Sequence, residues 1–354
     1  MSAAPPVLDF TSDNAGPVHP AVMEALVAAN TGHVPSYGAD ALTGRAIVAL
    51  RDAFEAPQAE VLLVPTGIAA NALLLGALAR PWQRVFCSEI AHVEQDEAGA
   101  VTHASGGAQT ALVPARDGRM DPDALAARLA ATPPEARGPV TLTQATEAGT
   151  LYTPEAVARI AEIARGAGAV LHMDGARLAN AAAALGCTPA EVTWRAGVEA
   201  LSLGGTKNGL MGVEATVLFR PGLADALALQ RTRMGAGLSK HRFLAAQMLA
   251  AFADGLWRDM AARANAAAAR LAAGMAGRRG VTLAHPTEAN IVFARLARAD
   301  HRRLRAAGAR YLLWDSPAPS LEDGPEAEPL LARFVCDWTA DAARVDALLA
   351  LMPA

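Results

Sequence analysis

Only two lysines, Lys207 and Lys240, stand in a chain that otherwise takes its positive charge from 29 arginines. Arginine stays protonated and cannot add to a carbonyl, whereas an amine can lose its proton and attack, so a retained lysine is a candidate nucleophile. Lys207 lies in LSLGGTKNG, a glycine-rich, turn-prone stretch that follows an apolar run. Glycine permits a tight bend and leaves little bulk around the amine, and burial there makes an amine easier to deprotonate. Asp174 follows another apolar run in HMDGAR, and strand ends of this kind are where ligands bind in open α/β sheets. A carboxylate there can hold a metal, relay protons, cap a helix or pair with a cationic ring nitrogen. The metal reading is weakened because His172 is the only nearby ligand type and no second carboxylate lies close in sequence.

Pro65-Thr66-Gly67-Ile68 joins an apolar run to an apolar helical stretch. Backbone N–H groups at such a helix start, with the Thr66 hydroxyl, can cup a phosphate dianion. The Lys207 segment lacks the GxxxxGK[ST] spacing of a nucleotide phosphate loop, and no GxGxxG follows the first strand. A phosphate cup, a ring-stacking residue in His92, a strand-end Asp174 and an aldehyde-tethering Lys207, in that order, are the groups that pyridoxal phosphate requires of a protein.

These residues need a sheet to place them. Val61–Val64, Arg84–Cys87, Ala111–Val113, Val140–Thr143, Ala169–Met173, Val198–Leu203 and Ala215–Phe219 read as strands. Helical stretches lie between them, at Gly67–Ala79 and Pro154–Arg165, and two more precede them, at Pro20–Ala29 and Ala41–Phe54. That alternation predicts an α/β large domain with a mostly parallel sheet. After Arg220 a helical region runs to about Gly280, then β-like runs at Ala289–Phe293, Tyr311–Leu313 and Arg333–Cys336, and a last helix at Ala340–Leu351. The expected division is a large domain over 1–250 and a smaller α+β domain over 251–354.

Composition narrows the classes. In 354 residues, 52% are hydrophobic and the net charge is −4, so neither a nucleic-acid footprint nor a membrane-surface patch is visible. Cys87, Cys187 and Cys336 are odd in number, far apart and without a CxxC pair, which argues against a disulfide framework or structural zinc and fits the cytoplasm. The first residues, MSAAPPVLDFTSDN, lack the basic and apolar regions of a signal peptide. The uncharged stretch Val61–Ala79 is read as strand, turn and helix rather than a membrane span, because Pro65-Thr66-Gly67 and Asn71 interrupt it. His19, His33, His103, His241, His285 and His301 sit in turn-like or polar contexts that suit solvent exposure or a local hydrogen bond, and His172 reads as packed against the sheet or supporting the site.

The sequence resembles the L-threonine aldolases, particularly the bacterial low-specificity type, within the aspartate-aminotransferase-like pyridoxal phosphate enzymes. The resemblance runs through FTSDNAGPVHPAVMEAL, PSYGAD, PTGIAAN, SEIAHVEQDEAGA, LTQATEAGTLY, HMDGARLANA, LSLGGTKNG, SKHRFLAAQ and RFVCDWTA, in order and spacing. It implies that Lys207 tethers the cofactor aldehyde, that Asp174 pairs with the ring nitrogen and that His92 stacks on the ring. It further implies that Thr66, Gly67 and Ile68 hold the phosphate, that Arg177 lies against the cofactor and with Arg333 and Ser12 binds the substrate carboxylate, and that Tyr37 reaches a substrate site near a subunit boundary. Lys240 is expected either at the phosphate of a partner subunit or on a solvated surface. Ile68 stands where the family often has Thr, one hydroxyl donor fewer, and Glu147 stands where others commonly place a His near the substrate hydroxyl. His92, Glu147 or a bound water is the expected hydroxyl base. The implied reaction is retro-aldol cleavage of β-hydroxy-α-amino acids to glycine and an aldehyde. The same Lys207 and Asp174 would serve an aminotransferase or a dehydratase, and a non-catalytic member would take up no cofactor. A homo-oligomer, a dimer of dimers sharing active sites, is implied by the resemblance.

Overall fold

The computed structural model describes residues 7–315 and 317–353. Seven strands build the main sheet: β1 (Glu60–Val64), β2 (Arg84–Ser88), β3 (Gln109–Val113), β4 (Arg137–Thr143), β5 (Leu171–Gly175), β6 (Ala200–Leu203) and β7 (Glu214–Leu218). Their spatial order is β1-β7-β6-β5-β4-β2-β3. Strand β7 runs antiparallel to both neighbours and the remaining pairs are parallel. The carboxyl ends of β1, β2, β4, β5 and β6 therefore meet along one edge. Strands β5, β6 and β7 are buried along their whole length, as expected of strands covered by helices on both faces.

The helices form for local reasons. Thr66 caps Gly67–Leu78 by accepting from Ala69 N at 3.2 Å, and Thr153 caps Pro154–Gly166 in the same way. The second buries Val157, Ile160, Ala161 and Ala164, an i, i+3, i+4, i+7 stripe against the sheet. Four more strands, β8 (Thr282–Leu283), β9 (Ile291–Ala297), β10 (Leu312–Leu313) and β11 (Pro329–Val335), form an antiparallel sheet ordered β8-β9-β11-β10.

The long helical region resolves into three helices, Ala224–Arg233, Arg242–Phe252 and Leu256–Met275. The last joins the two cores: Trp257, Met260 and Ala261 pack with the main sheet, while Ala268, Leu271 and Met275 pack under the small one. Phe10, near the start of the chain, is buried in that second core, and Asp9 bridges to Arg310. A helix at Arg298–Ala306 was not expected from the sequence. Its Arg-rich composition hides it from an apolar scan, and its inward face is only His301 and Leu304, with the Arg298 stem. His241 and His301 are buried, unlike the exposure considered for them; hydrogen bonds to Tyr311 at 2.9 Å and the Leu330 carbonyl at 3.1 Å account for His301, whereas His241 Nδ1 meets the sequence-distant Thr43 at 3.0 Å and its Nε2 has no partner among the described residues. Among the described residues, no helix is long and apolar enough to cross a membrane.

Candidate active site

Lys207 sits in a single 3-10 turn, Thr206–Asn208, two residues beyond the glycines that follow β6. Those glycines are required by contact. A Cβ on Gly204 would lie 2.3 Å from the Ala176 carbonyl oxygen, and one on Gly205 2.5 Å from that of Val213. The turn is thus pressed against two neighbouring backbones, and Asn208 pins it by donating to the Trp257 carbonyl at 2.8 Å. Burial lowers the Lys207 amine below its ordinary pKa, and the Arg177 guanidinium pushes the same way.

Asp174, on β5, is 6% exposed. Its Oδ2 accepts from Asn71 Nδ2 at 2.8 Å and its Oδ1 from Ala176 N at 3.0 Å. The following helix begins only at Leu178, after Arg177, so Asp174 closes the strand-to-helix turn rather than capping that helix. The Asn71 amide nitrogen also donates to Glu97 Oε1 at 2.8 Å, and His92 Nδ1 meets the same oxygen at 2.9 Å. A carboxylate oxygen only accepts, so His92 Nδ1 carries the proton and Nε2 is the free nitrogen. The Glu97 bond raises the His92 pKa, outweighing the opposite effect of burial. Ligand atoms of His92, Glu97 and Asp174 fall within 4.8 Å of one another, so the tertiary fold supplies the second carboxylate that no sequence neighbour of Asp174 offers.

Glu147 lies behind His92. Its Oε1 accepts from the His92 backbone N at 2.9 Å and from Thr143 Oγ1 at 2.8 Å, while its Oε2 is buried without a partner. Burial raises its pKa. His172 bridges Thr141 and Ser202 at 2.8 and 3.0 Å beneath the site, and burial lowers it to about 4, so it is neutral there.

Arg177 grips Asp13 with two bonds, Nε to Oδ2 at 2.7 Å and Nη2 to Oδ1 at 3.0 Å, and Asn290 donates to the same carboxylate at 3.1 Å. Burial alone would raise the Asp13 carboxyl, but Arg177 outweighs it and holds the group below the ordinary carboxylate value. Arg333, on β11, lies over Trp314 with its guanidinium carbon 3.9 Å from the ring centre. Burial first, and Arg177 next, lower it to about 10. Ser12 caps the 3-10 turn Asp13–Ala15 by accepting from Asn14 N, which places Asp13 under Arg177.

Thr66, Gly67 and Ile68 stand at the same edge of the sheet, where β1 enters its helix. The Gly67 and Ile68 N–H groups precede the first intrahelical donor, Ala70 N, which bonds the Thr66 carbonyl, and a Cβ on Gly67 would meet nothing within 4 Å. Tyr37 and Lys240 are both exposed. Tyr37 is 61% exposed and its N–H donates to Ser239 O at 3.0 Å, which sets it beside the exposed Lys240 on one outer surface. Asp13, Asn71, Glu97 and Glu214 were not singled out from the sequence. Asp13 and Glu97 lie within the TSDN and EQDEAGA stretches, where an acidic residue beside a turn was the available signal.

A family model described as beta-eliminating lyase matches residues 9–299. The chain belongs to that family. It is 41% identical to a low specificity L-threonine aldolase of Pseudomonas aeruginosa, over 95% of this chain and 94% of the relative. It is 38% identical to another low specificity L-threonine aldolase from a Pseudomonas species, over 96% of each. The fold matches that of a threonine aldolase of Leishmania major with a TM-score of 0.86 at 24% identity, over 97% of this chain and 98% of the other.

Proposed function

We propose that this beta-eliminating lyase family member is a pyridoxal-phosphate-dependent carbon–carbon lyase. It cleaves L-threonine, L-allo-threonine and related β-hydroxy-α-amino acids to glycine and an aldehyde. The observation that carries the reading is the placement of Lys207, half-buried with a lowered pKa and within electrostatic reach of Asp174 and Arg177. The residues present fit the cofactor: buried polar atoms without partners, Asn71 Oδ1, Glu147 Oε2 and Arg333 Nε, lie among the groups just described, and open space borders Gly67.

Lys207 tethers the cofactor aldehyde, Asp174 pairs with the ring nitrogen, and Thr66, Gly67 and Ile68 hold the phosphate. When bound, pyridoxal phosphate supplies a conjugated ring that spreads the electrons left as the Cα–Cβ bond breaks. Asn71 and Ala176 N–H fix the Asp174 carboxylate. Arg177 and Arg333 take the substrate carboxylate between them; Asp13 orients the first and Trp314 the second. A carboxylate held at two points would fix the orientation of the substrate's Cα–Cβ bond.

Removal of the β-hydroxyl proton falls to His92 Nε2. Its imidazole is partly exposed, with Nδ1 committed to Glu97, in the manner of a base oriented by a carboxylate. Glu147 positions His92 through the backbone bond, since its remaining oxygen is buried. The hydroxyl oxygen becomes the carbonyl oxygen of the departing aldehyde.

Residues 1–250 carry the cofactor site in this reading, and 251–354 contribute Arg333. The surface bearing Tyr37 and Lys240 serves the site of a neighbouring subunit in a dimer of dimers, and the enzyme works in the cytoplasm. The test is an absorbance spectrum of protein supplied with pyridoxal phosphate, with glycine and acetaldehyde assayed after adding L-threonine. A visible band lost in Lys207→Ala, with equal yields of both products, is expected. A band without acetaldehyde would redirect the reading to transamination or dehydration, and no band would end it.

A further inference from the structure

Glu214 is a buried carboxyl that the reaction outlined above does not use. It opens β7 and is 7% exposed. Nothing in strand-making calls for a carboxyl there; the other four residues of β7 are Ala, Thr, Val and Leu. Its Oε2 accepts from Gly205 N at 2.6 Å, across the turn that carries Lys207. In the sheet it stands opposite Val64, the last residue of β1 before Pro65-Thr66-Gly67. The carboxyl thus sits where the lysine turn and the expected phosphate turn share one antiparallel strand.

The surroundings leave this turn little freedom. Gly205 is pressed on Val213, whose carbonyl oxygen would be 2.5 Å from an added Cβ. Gln247 Oε1 accepts from Met211 N and Gly212 N at 2.8 and 3.1 Å, fixing the segment between Lys207 and Glu214. The charged groups acting on Lys207 are Arg177, Asp13, Asp174 and Glu214, and His92 is also within electrostatic reach of it. Asp13 is committed to Arg177 and Asp174 to Asn71 and Ala176. Only Glu214 among these is bonded to the turn on which Lys207 stands.

We propose that Glu214 is a positioning residue for Lys207, gripping the Gly205 N–H from β7 and setting the electrostatic environment of the amine. The inference rests on the assignment of Lys207 as the reactive amine. Burial pushes the Glu214 carboxyl up to about 7, against the pull of Thr206, the Gly205 N–H and Lys207. Each group is among the charges acting on the other: Glu214 raises the amine and Lys207 lowers the carboxyl. Loss of the negative charge removes a term that raises the amine's pKa, so the amine should deprotonate at lower pH.

The chain's two lysines make this directly measurable. Cofactor-free full-length protein is acetylated in competition with a small amine across pH, and mass spectrometry of peptides reads Lys207 and the exposed Lys240 separately. In Glu214→Gln, which keeps the volume and an acceptor oxygen, the Lys207 midpoint should fall by about half a pH unit or more. The Lys240 midpoint should stay in place. A folded Glu214→Gln protein whose Lys207 midpoint is unmoved overturns the proposal. Should that variant fail to fold, the reciprocal measurement decides: isotope-edited infrared titration of Glu214 in the parent and in Lys207→Met. The Glu214 midpoint should rise when the amine is removed, and an unchanged midpoint overturns the coupling. Neither readout requires turnover, so a protein that binds no pyridoxal phosphate would end the proposed function while leaving this result to be judged by itself.

Discussion

Arg177 and Asp13, 164 positions apart, meet through two parallel bonds of 2.7 and 3.0 Å. The guanidinium thereby has one edge committed to the protein, with side-chain exposures of 12% and 0% for the two partners. Removing one partner of a buried pair strands the other charge, so Asp13→Ala should destabilise the protein by about 3–5 kcal/mol in chemical denaturation. The folded Asp13 carboxyl is held below the ordinary 3.8. Its contribution is therefore complete above that value and lost as pH falls through the lower folded one. Asp13→Asn should flatten this part of the acid limb of stability, and an unchanged limb would count against the pairing.

His92 should titrate above its ordinary value, as read from its ring resonances by NMR, and Glu97→Gln should bring the midpoint down. The stability owed to this raised value is complete below about 6.5 and lost as pH rises through the folded pKa. With neutral Nε2 as the base, kcat rises with pH through the same titration, and that limb should move to lower pH in Glu97→Gln. A limb that stays in place would remove His92 from the proton transfer.

Glu147 offers a clean division between positioning and proton transfer. An amide oxygen can still accept from His92 N and Thr143 Oγ1, so Glu147→Gln should retain kcat within about tenfold. A loss of about 10²-fold or more, the scale of a missing general base, would reassign the proton to Glu147.

Gly204→Ala forces a Cβ to within 2.3 Å of a backbone oxygen that no rotamer change can move. Overpacking of this kind costs about 1–3 kcal/mol, and the lysine turn takes the displacement. A lower melting temperature together with faster loss of bound cofactor on dialysis is expected.

Arg333→Gln should raise KM for the amino acid by about 10²-fold, the range of a lost desolvated charge partner. Trp314→Ala should act in the same direction and less strongly, because the cation–π contact orients the guanidinium without replacing its charge. Initial-rate measurements on both variants decide; an unchanged KM in Arg333→Gln would remove it from carboxylate binding.

The main-sheet strands, the helices that follow them and the candidacy of Lys207 and Asp174 were legible because each is written locally. An apolar run, a glycine turn and a functional side chain just beyond it occupy about ten consecutive residues in LSLGGTKNG and in the stretch ending at HMDGAR. Helix Arg298–Ala306 was not legible, since its inward face is small and its outward face is arginine. The groups that set charge and orientation were not legible either. Asn71 reaches Asp174 across 103 positions and Asp13 reaches Arg177 across 164, and Glu214 meets its turn only because β7 reverses direction beside β6.

The sequence by itself determined which side chains are candidates for the chemistry and that strands would present them, because residue type and hydrophobic period act over a few neighbouring residues. Only the tertiary structure decided their protonation and aim. Burial and the pairing of distant charges set pKa and orientation, and both depend on which segments the folded sheet brings within hydrogen-bonding distance.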